Sequence, residues 1–133
     1  AILAPATIVL LALAACSGIG PGSADPLEGT SWRLVTLGGD ALIPGTEITA
    51  SFKDGQVGGQ ACNSYGGSYT VSGDKLTVRE IYQTEMACLE PEGIMEQESR
   101  YMDLLRQASS FSISGQELRI TTSGGDTLIF VAA

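Results

Sequence analysis

Histidine is absent from all 133 residues, and lysine occurs only at Lys53 and Lys75. Without an imidazole there is no Ser-His-Asp or Cys-His nucleophile system, no His-ligated metal site and no ordinary titrating switch near neutral pH. A Schiff-base or Ser-Lys enzyme would have to use one of the two lysines. Positive charge is scarce altogether. Seven basic side chains stand against fifteen acidic ones, the net charge is −8, and no side chain before Asp25 ionises. Such a balance repels nucleic acid and anionic lipid headgroups, and its plainest effect is solubility. A bilayer span needs about 20 apolar residues, and the apolar run AILAPATIVLLALAA at residues 1–15 is shorter. A Cys-X-X-Cys redox pair is also missing. No metal and no cofactor is expected.

What is present at the N-terminal end has the length of the apolar core of a secretory signal. Small residues Ala14 and Ala15 stand just before Cys16, as the narrow pockets of signal peptidases require. The tetrad Leu13-Ala14-Ala15-Cys16 resembles the lipobox of bacterial lipoproteins. The resemblance implies removal of residues 1–15, acylation of Cys16 and attachment of the protein to a membrane through that lipid. An ordinary signal with an incidental cysteine is the plainer alternative. The run begins at Ala1 with neither Met nor a basic stretch, so the signal is expected to start upstream. Ser17 follows the cysteine where Asp does not, which by resemblance to lipoprotein sorting favours an outer membrane, facing the periplasm, in a Gram-negative host. Residues 16–26 are then a tether, since Ser17 to Pro26 is rich in Gly, Ser and Pro and has too little apolar area to fold. Its ten residues reach about 33 Å when stretched.

Residues 27–133 are expected to form one domain. Trp32, Leu34 and Thr36 alternate with Arg33, Val35 and Leu37, and similar period-two runs occur around Phe52, Leu76, Leu118 and Phe130. Runs of that length and composition are strands. Asp54-Gly55, Gly73-Asp74, Gly115-Gln116 and Gly124-Gly125 separate them as turns. The implied fold is α+β and β-rich, an antiparallel sheet that curls or closes like a barrel to remove its edges. One helix is predicted over Pro91 to Ala108, packed on the sheet, with Ile94, Tyr101, Leu105 and Ala108 at helical spacing. Pro91 suits a first turn, and Glu90, Glu92 and Glu96 suit the positive end of a helix dipole.

Two features could carry chemistry. Glu98 lies four residues after Ile94 and three before Tyr101, inside the apolar stripe. A carboxylate there must find hydrogen-bond partners, as a brace or as a ligand-contacting acid. Cys62 and Cys88 are the two cysteines left after Cys16. In an exported domain two thiols usually pair, and the loop of 27 residues (88 − 62 + 1) would contribute about 3.5 kcal/mol. The alternative is free thiols, although Glu85, Glu90 and Glu92 flank Cys88 and oppose a reactive thiolate.

The segment Gly58 to Tyr69, GGQACNSYGGSY, resembles the glycine-rich GCN-x-Y-x-G-x-Y segment of the META/HslJ domain family. Thr84 to Cys88, TEMAC, resembles its T-x-MAC motif, and Met95, Glu98, Tyr101 and Leu105 match its M-x-x-E-x-x-Y-x-x-x-L helix. Gly29 to Leu34 also fits, and Ala61 stands where the family usually has Gly. The resemblance covers nearly all of Leu27 to Val131. It implies a compact β-rich fold with one helix, found in envelope proteins and lipoproteins and associated with stress response, without a catalytic residue set. Within the motif, glycines permit tight turns or close backbone approach, Asn63 tolerates a left-handed turn, and Tyr65 and Tyr69 offer apolar area with a hydroxyl. Asn63, Tyr65, Tyr69 and Glu98 are therefore candidates for binding or bracing. The expected function is a non-catalytic envelope lipoprotein that binds or supports another envelope component, in a stress-related role. A small-molecule binding barrel is the alternative, and an enzyme using Glu98 or Cys88 is the reading with the least support.

Overall fold

The computed structural model describes residues 24–133. The expected signal at 1–15, Cys16 and the tether as far as residue 23 lie outside the described residues. Ten elements follow one another: β1 (Thr30–Leu37), β2 (Asp40–Ala41), β3 (Thr49–Lys53), β4 (Gln56–Gln60), β5 (Ser64–Ser72), β6 (Lys75–Gln83), α1 (Ile94–Arg106), β7 (Ala108–Ser114), β8 (Glu117–Thr122) and β9 (Thr127–Ala132). Each strand from β3 onward pairs antiparallel with the next, and β9 returns to β1 through the register Trp32↔Ala132 to Leu37↔Leu128. The sheet thereby closes into an eight-stranded up-and-down barrel, with β2 a short extra strand on β1. Closure removes the free edges that an open sheet of this size would expose.

Alternation sorts the side chains. Leu34, Phe52, Val57, Tyr69, Leu76, Val78, Leu118, Ile120, Leu128 and Phe130 point inward and belong to one contiguous buried cluster. The expected period-two pattern of β1 breaks at a bulge between Leu34 and Thr36 against β9. One extra residue restores Leu37 to the core, 3% exposed, and leaves Val35 outside. Next to this bulge, Thr36 Oγ1 is the one buried side-chain polar atom without a hydrogen-bond partner among the described residues. The hairpin between β3 and β4 turns on Asp54 and Gly55, whose φ values are 52° and 75°. Positive φ at both central residues gives the tight turn whose twist matches the strands.

The two ends of the barrel are closed differently. At one end lie the β1–β3 loop, the β4–β5 turn and α1, which packs against β6 and β9. The helix is shorter than the sequence predicts: it begins at Ile94 rather than Pro91, where Gly93 adopts φ 86°, and it ends at Arg106 rather than Ala108, which opens β7. Its buried side is Glu98, Tyr101, Met102, Leu104 and Leu105. At the opposite end the entering chain makes a turn whose Leu27 is completely buried. Asp25 accepts hydrogen bonds from the Leu27 N–H at 2.9 Å and the Tyr69 hydroxyl at 2.6 Å. Asp25, which composition assigns to the tether, is thus tied to the barrel. The seam between β6 and β7 is the weakest, with one ladder pair at Lys75↔Ser110 and a Phe111 N–H to Asp74 carbonyl bond of 2.9 Å.

Candidate functional site

The β4–β5 turn is three residues long, Ala61 to Asn63, and the backbone has to make it where β4 runs close under β3. Gly59 is required there, since a Cβ would stand 2.0 Å from the Thr49 carbonyl oxygen. None of the motif glycines 58, 59, 66 and 67 has positive φ, so close approach rather than turn geometry accounts for them. Asn63 is likewise absent from the left-handed residues. Its importance lies in its side chain.

Asn63 and Glu98 meet across 35 residues and form a clamp. The Glu98 carboxylate accepts the Asn63 backbone N–H at 2.6 Å and its Nδ2 at 2.8 Å, one on each oxygen. Nδ2 also donates to the Met86 carbonyl at 3.2 Å. Oδ1 accepts from the Met86 N–H at 2.6 Å and the Thr84 hydroxyl at 2.9 Å. The amide therefore uses both its donors and both its acceptors. Asn63 is 1% exposed and Glu98 2% exposed, so these bonds offset a desolvation that would otherwise be severe. The clamp fastens three pieces of chain together: the β4–β5 turn, the crossover between β6 and α1, and the helix itself.

Cys62 and Cys88 form a disulfide beside it, with their Cα atoms 6.1 Å apart. The same turn and crossover are thus joined twice, once covalently. Gln97, one helical position before Glu98, accepts the Ile43 N–H at 2.8 Å and donates to the Thr46 hydroxyl at 3.0 Å, which ties the β1–β3 loop to the helix. The sequence marks Thr84 only as part of the TEMAC segment and offers no clear signal for Asp25 or for Gln97, since a polar residue next to an apolar helical stripe ordinarily faces water.

The two motif tyrosines go to different places. Tyr65 lies under the helix, where its hydroxyl donates to the Thr49 carbonyl at 2.7 Å and sits 2.6 Å from the Tyr101 hydroxyl. Since Tyr65 has one proton and gives it to Thr49, Tyr101 is the donor to Tyr65. Burial pushes both phenols above the ordinary value of 10.0. Tyr69 lies at the other end of the barrel, edge-on to Phe52 with ring centroids 5.0 Å apart. Its phenol is raised by burial first and by the Asp25 carboxylate it donates to. The structure gathers Asn63, Tyr65 and Glu98 near the helix-capped end and separates Tyr69 from them.

A cleft of about 310 Å³ opens next to the disulfide, bordered by Glu47, Ile48, Ala61, Cys88, Glu90 and Ile94. Its lining mixes the apolar Ile48, Ala61 and Ile94 with the acidic Glu47, Glu90 and Glu98. Among the described residues no three metal-ligating side chains cluster, and no helix is long and apolar enough to cross a membrane.

Solved structures share this architecture. A protein from Burkholderia xenovorans, determined by NMR, is 26% identical with a TM-score of 0.67, over 80% of this chain and 83% of that one. A second NMR structure is 20% identical with a TM-score of 0.64, over 79% and 90% of the two chains. A crystal structure of a DUF4847 family protein from Bacteroides vulgatus is 15% identical with a TM-score of 0.61, over 80% and 94%. The latter two likenesses concern the fold alone. No curated protein matches the chain. The META domain matches residues 25–133, a span that starts at the very aspartate holding Tyr69 and takes in the whole barrel with its helix, and the chain belongs to the META domain family.

Proposed function

We propose that the protein is a lipid-anchored envelope protein whose META domain works by binding or bracing another envelope component, without catalysis. The observation that carries this reading is the saturated clamp. Glu98 was the best candidate acid, and both its oxygens are taken by Asn63. Cys88, the best candidate thiol, is in a disulfide. A general acid or a nucleophile has to be free to exchange a proton or attack, and these two groups are engaged in holding the fold. The disulfide suits an oxidising compartment outside the cytoplasm. Anchorage rests on Leu13-Ala14-Ala15-Cys16, and each buried methylene of an acyl chain adds about 0.8 kcal/mol of membrane affinity.

The alternative, a barrel that holds a small molecule, has less support because the interior is occupied by Phe52, Tyr101, Phe130 and the leucines around them. A ligand would have to use an open cleft rather than the lumen. The test is to express the full chain in a bacterial envelope, cross-link in place and fractionate, alongside Cys16→Ala. The proposal expects the parent chain in the membrane fraction with an envelope component attached, and the variant released from the membrane. Equal distribution of the two forms would overturn the anchor, and recovery of the anchored protein alone would overturn the binding role.

A further inference from the structure

The crossover between β6 and α1 is built in an unusual way: its backbone is fixed and its apolar side chains are left in water. Met86 is 57% exposed and Leu89 84% exposed. Single exposed apolar residues are commonplace on mobile loops and need no explanation. Here both the N–H and the carbonyl of Met86 are bonded to the Asn63 side chain, Thr84 is bonded to the same amide, and Cys88 is cross-linked to Cys62. The clamp fixes the backbone at Met86 and the disulfide fixes the residue before Leu89, so the chain that presents these two exposed side chains is held in the free protein. Pre-ordering of this kind lowers the entropy lost when a partner docks.

The charge around these side chains says what partner fits. From Glu80 to Glu98 the chain carries Glu80, Glu85, Glu90, Glu92, Glu96 and Glu98 with no lysine or arginine between them. The two ion pairs among the described residues, Arg100–Asp40 and Arg106–Asp103, leave Glu85, Glu90 and Glu92 without a cation. Glu90 also lines the cleft, together with Glu47, Ile48 and Ile94. Apolar side chains flanked along the chain by carboxylates without an ion pair are complementary to a segment that is apolar and cationic at once. The net charge of −8 disfavours a second copy of the chain, and anionic lipid and nucleic acid are repelled for the same reason. Asp25 and Leu27 pack at the opposite end of the barrel, so this surface is clear of the point where the described chain enters the fold.

We propose that the crossover, with Met86 and Leu89 at its centre and Glu85, Glu90 and Glu92 at its rim, docks a cationic amphipathic segment of an envelope protein. The proposal rests on the binding role set out above and names the surface and partner chemistry for it. The test uses the full-length protein, purified in detergent, and a synthetic amphipathic peptide of leucine and lysine, with binding read by fluorescence anisotropy. Two control peptides are used, one with glutamate in place of lysine and an oligolysine of equal charge. The leucine–lysine peptide is expected to bind, and Leu89→Ser to weaken it about ten-fold. Glu90→Gln with Glu92→Gln is expected to weaken it about three-fold, more at low salt than at high salt. Asp74→Asn with Glu117→Gln removes the same charge from hairpins at the far end of the barrel and is expected to leave binding unchanged. Thermal unfolding of each variant checks that these exposed substitutions leave the fold intact. Oligolysine binding as tightly as the amphipathic peptide, equal losses from the near and far charge pairs, or no binding at all would each overturn the proposal. Membrane fractionation of the same preparations keeps the two readings apart. Anchored protein that ignores the peptide refutes this surface, and unanchored protein that binds it refutes the anchor.

Discussion

Glu98 decides what becomes of two donors on Asn63. With Glu98→Ala the Asn63 N–H loses its acceptor and Nδ2 loses one of its two, in a buried place. The expected loss is about 2–4 kcal/mol, read as a lower urea midpoint at unchanged slope. Glu98→Gln should also destabilise, by a smaller amount, because its amide nitrogen would face a donor where an oxygen now accepts. The tyrosines give a second prediction. Tyr65, Tyr69 and Tyr101 all have phenols raised above 10.0, so the unfolded chain loses those protons first. The neutral phenols contribute stability that is fully present below pH 10 and is lost progressively above it. Urea midpoints should be flat up to about pH 9 and fall beyond pH 10, with Tyr65→Phe and Tyr69→Phe each making the fall shallower. At this scale the sequence revealed that Glu98 needed a partner, because a carboxylate interrupted an apolar stripe. It also marked Asn63, through the motif. That the two are partners was not legible, since nothing local links positions 35 residues apart.

The crossover from β6 to α1 is an element without regular structure, and its order comes from its attachments. Reducing the disulfide, or replacing Cys62 and Cys88 with serine, is expected to lower stability by up to about 3.5 kcal/mol. The loss should be concentrated locally. Hydrogen exchange should quicken from Thr84 to Gly93 well before the β8 and β9 amides respond. The strands show where sequence patterns work and where they fail. β1, β3, β6 and β8 were legible because apolar residues largely alternate with polar ones, and β9 because Leu128 and Phe130 keep the same period with Ile129 between them. β4 and β5 were not, because glycine occupies positions in the wall: Gly66 lies beneath the ring of Tyr82, and Gly67 faces the Arg79 carbonyl. A period-two reading that counts only side chains passes over such positions, although Tyr65, Tyr69 and Val71 do alternate. β7 was obscured by serine, with Phe111 its only buried residue. The predicted helix overran by about a turn because the charges around Pro91 suit a helix start, while Gly93 sets the actual one.

Seen whole, the molecule is a barrel stoppered at both ends, by α1 at one and by the turn carrying Leu27 at the other. Composition placed the boundary of the fold at Leu27, and an acidic residue in a Gly-Ser-Pro stretch gave no reason to move it. The Asp25–Tyr69 bond is what extends the folded unit upstream. Leu27→Ala is expected to cost about 2–4 kcal/mol, as for other fully buried leucines. Asp25→Asn should cost less, leaving the barrel intact while speeding proteolysis ahead of Gly29.

The ladder between β1 and β9 also governs when the protein can exist as a folded body. Its pairs join Trp32 to Ala132 and Leu37 to Leu128, nearly the full length of the domain. While the chain is being synthesised, the first strand has to wait for the last, and until then the growing sheet has two raw borders. Machinery handling this polypeptide therefore meets a pliable thread for as long as β9 is held back, and the barrel snaps shut only once that strand comes free to meet β1.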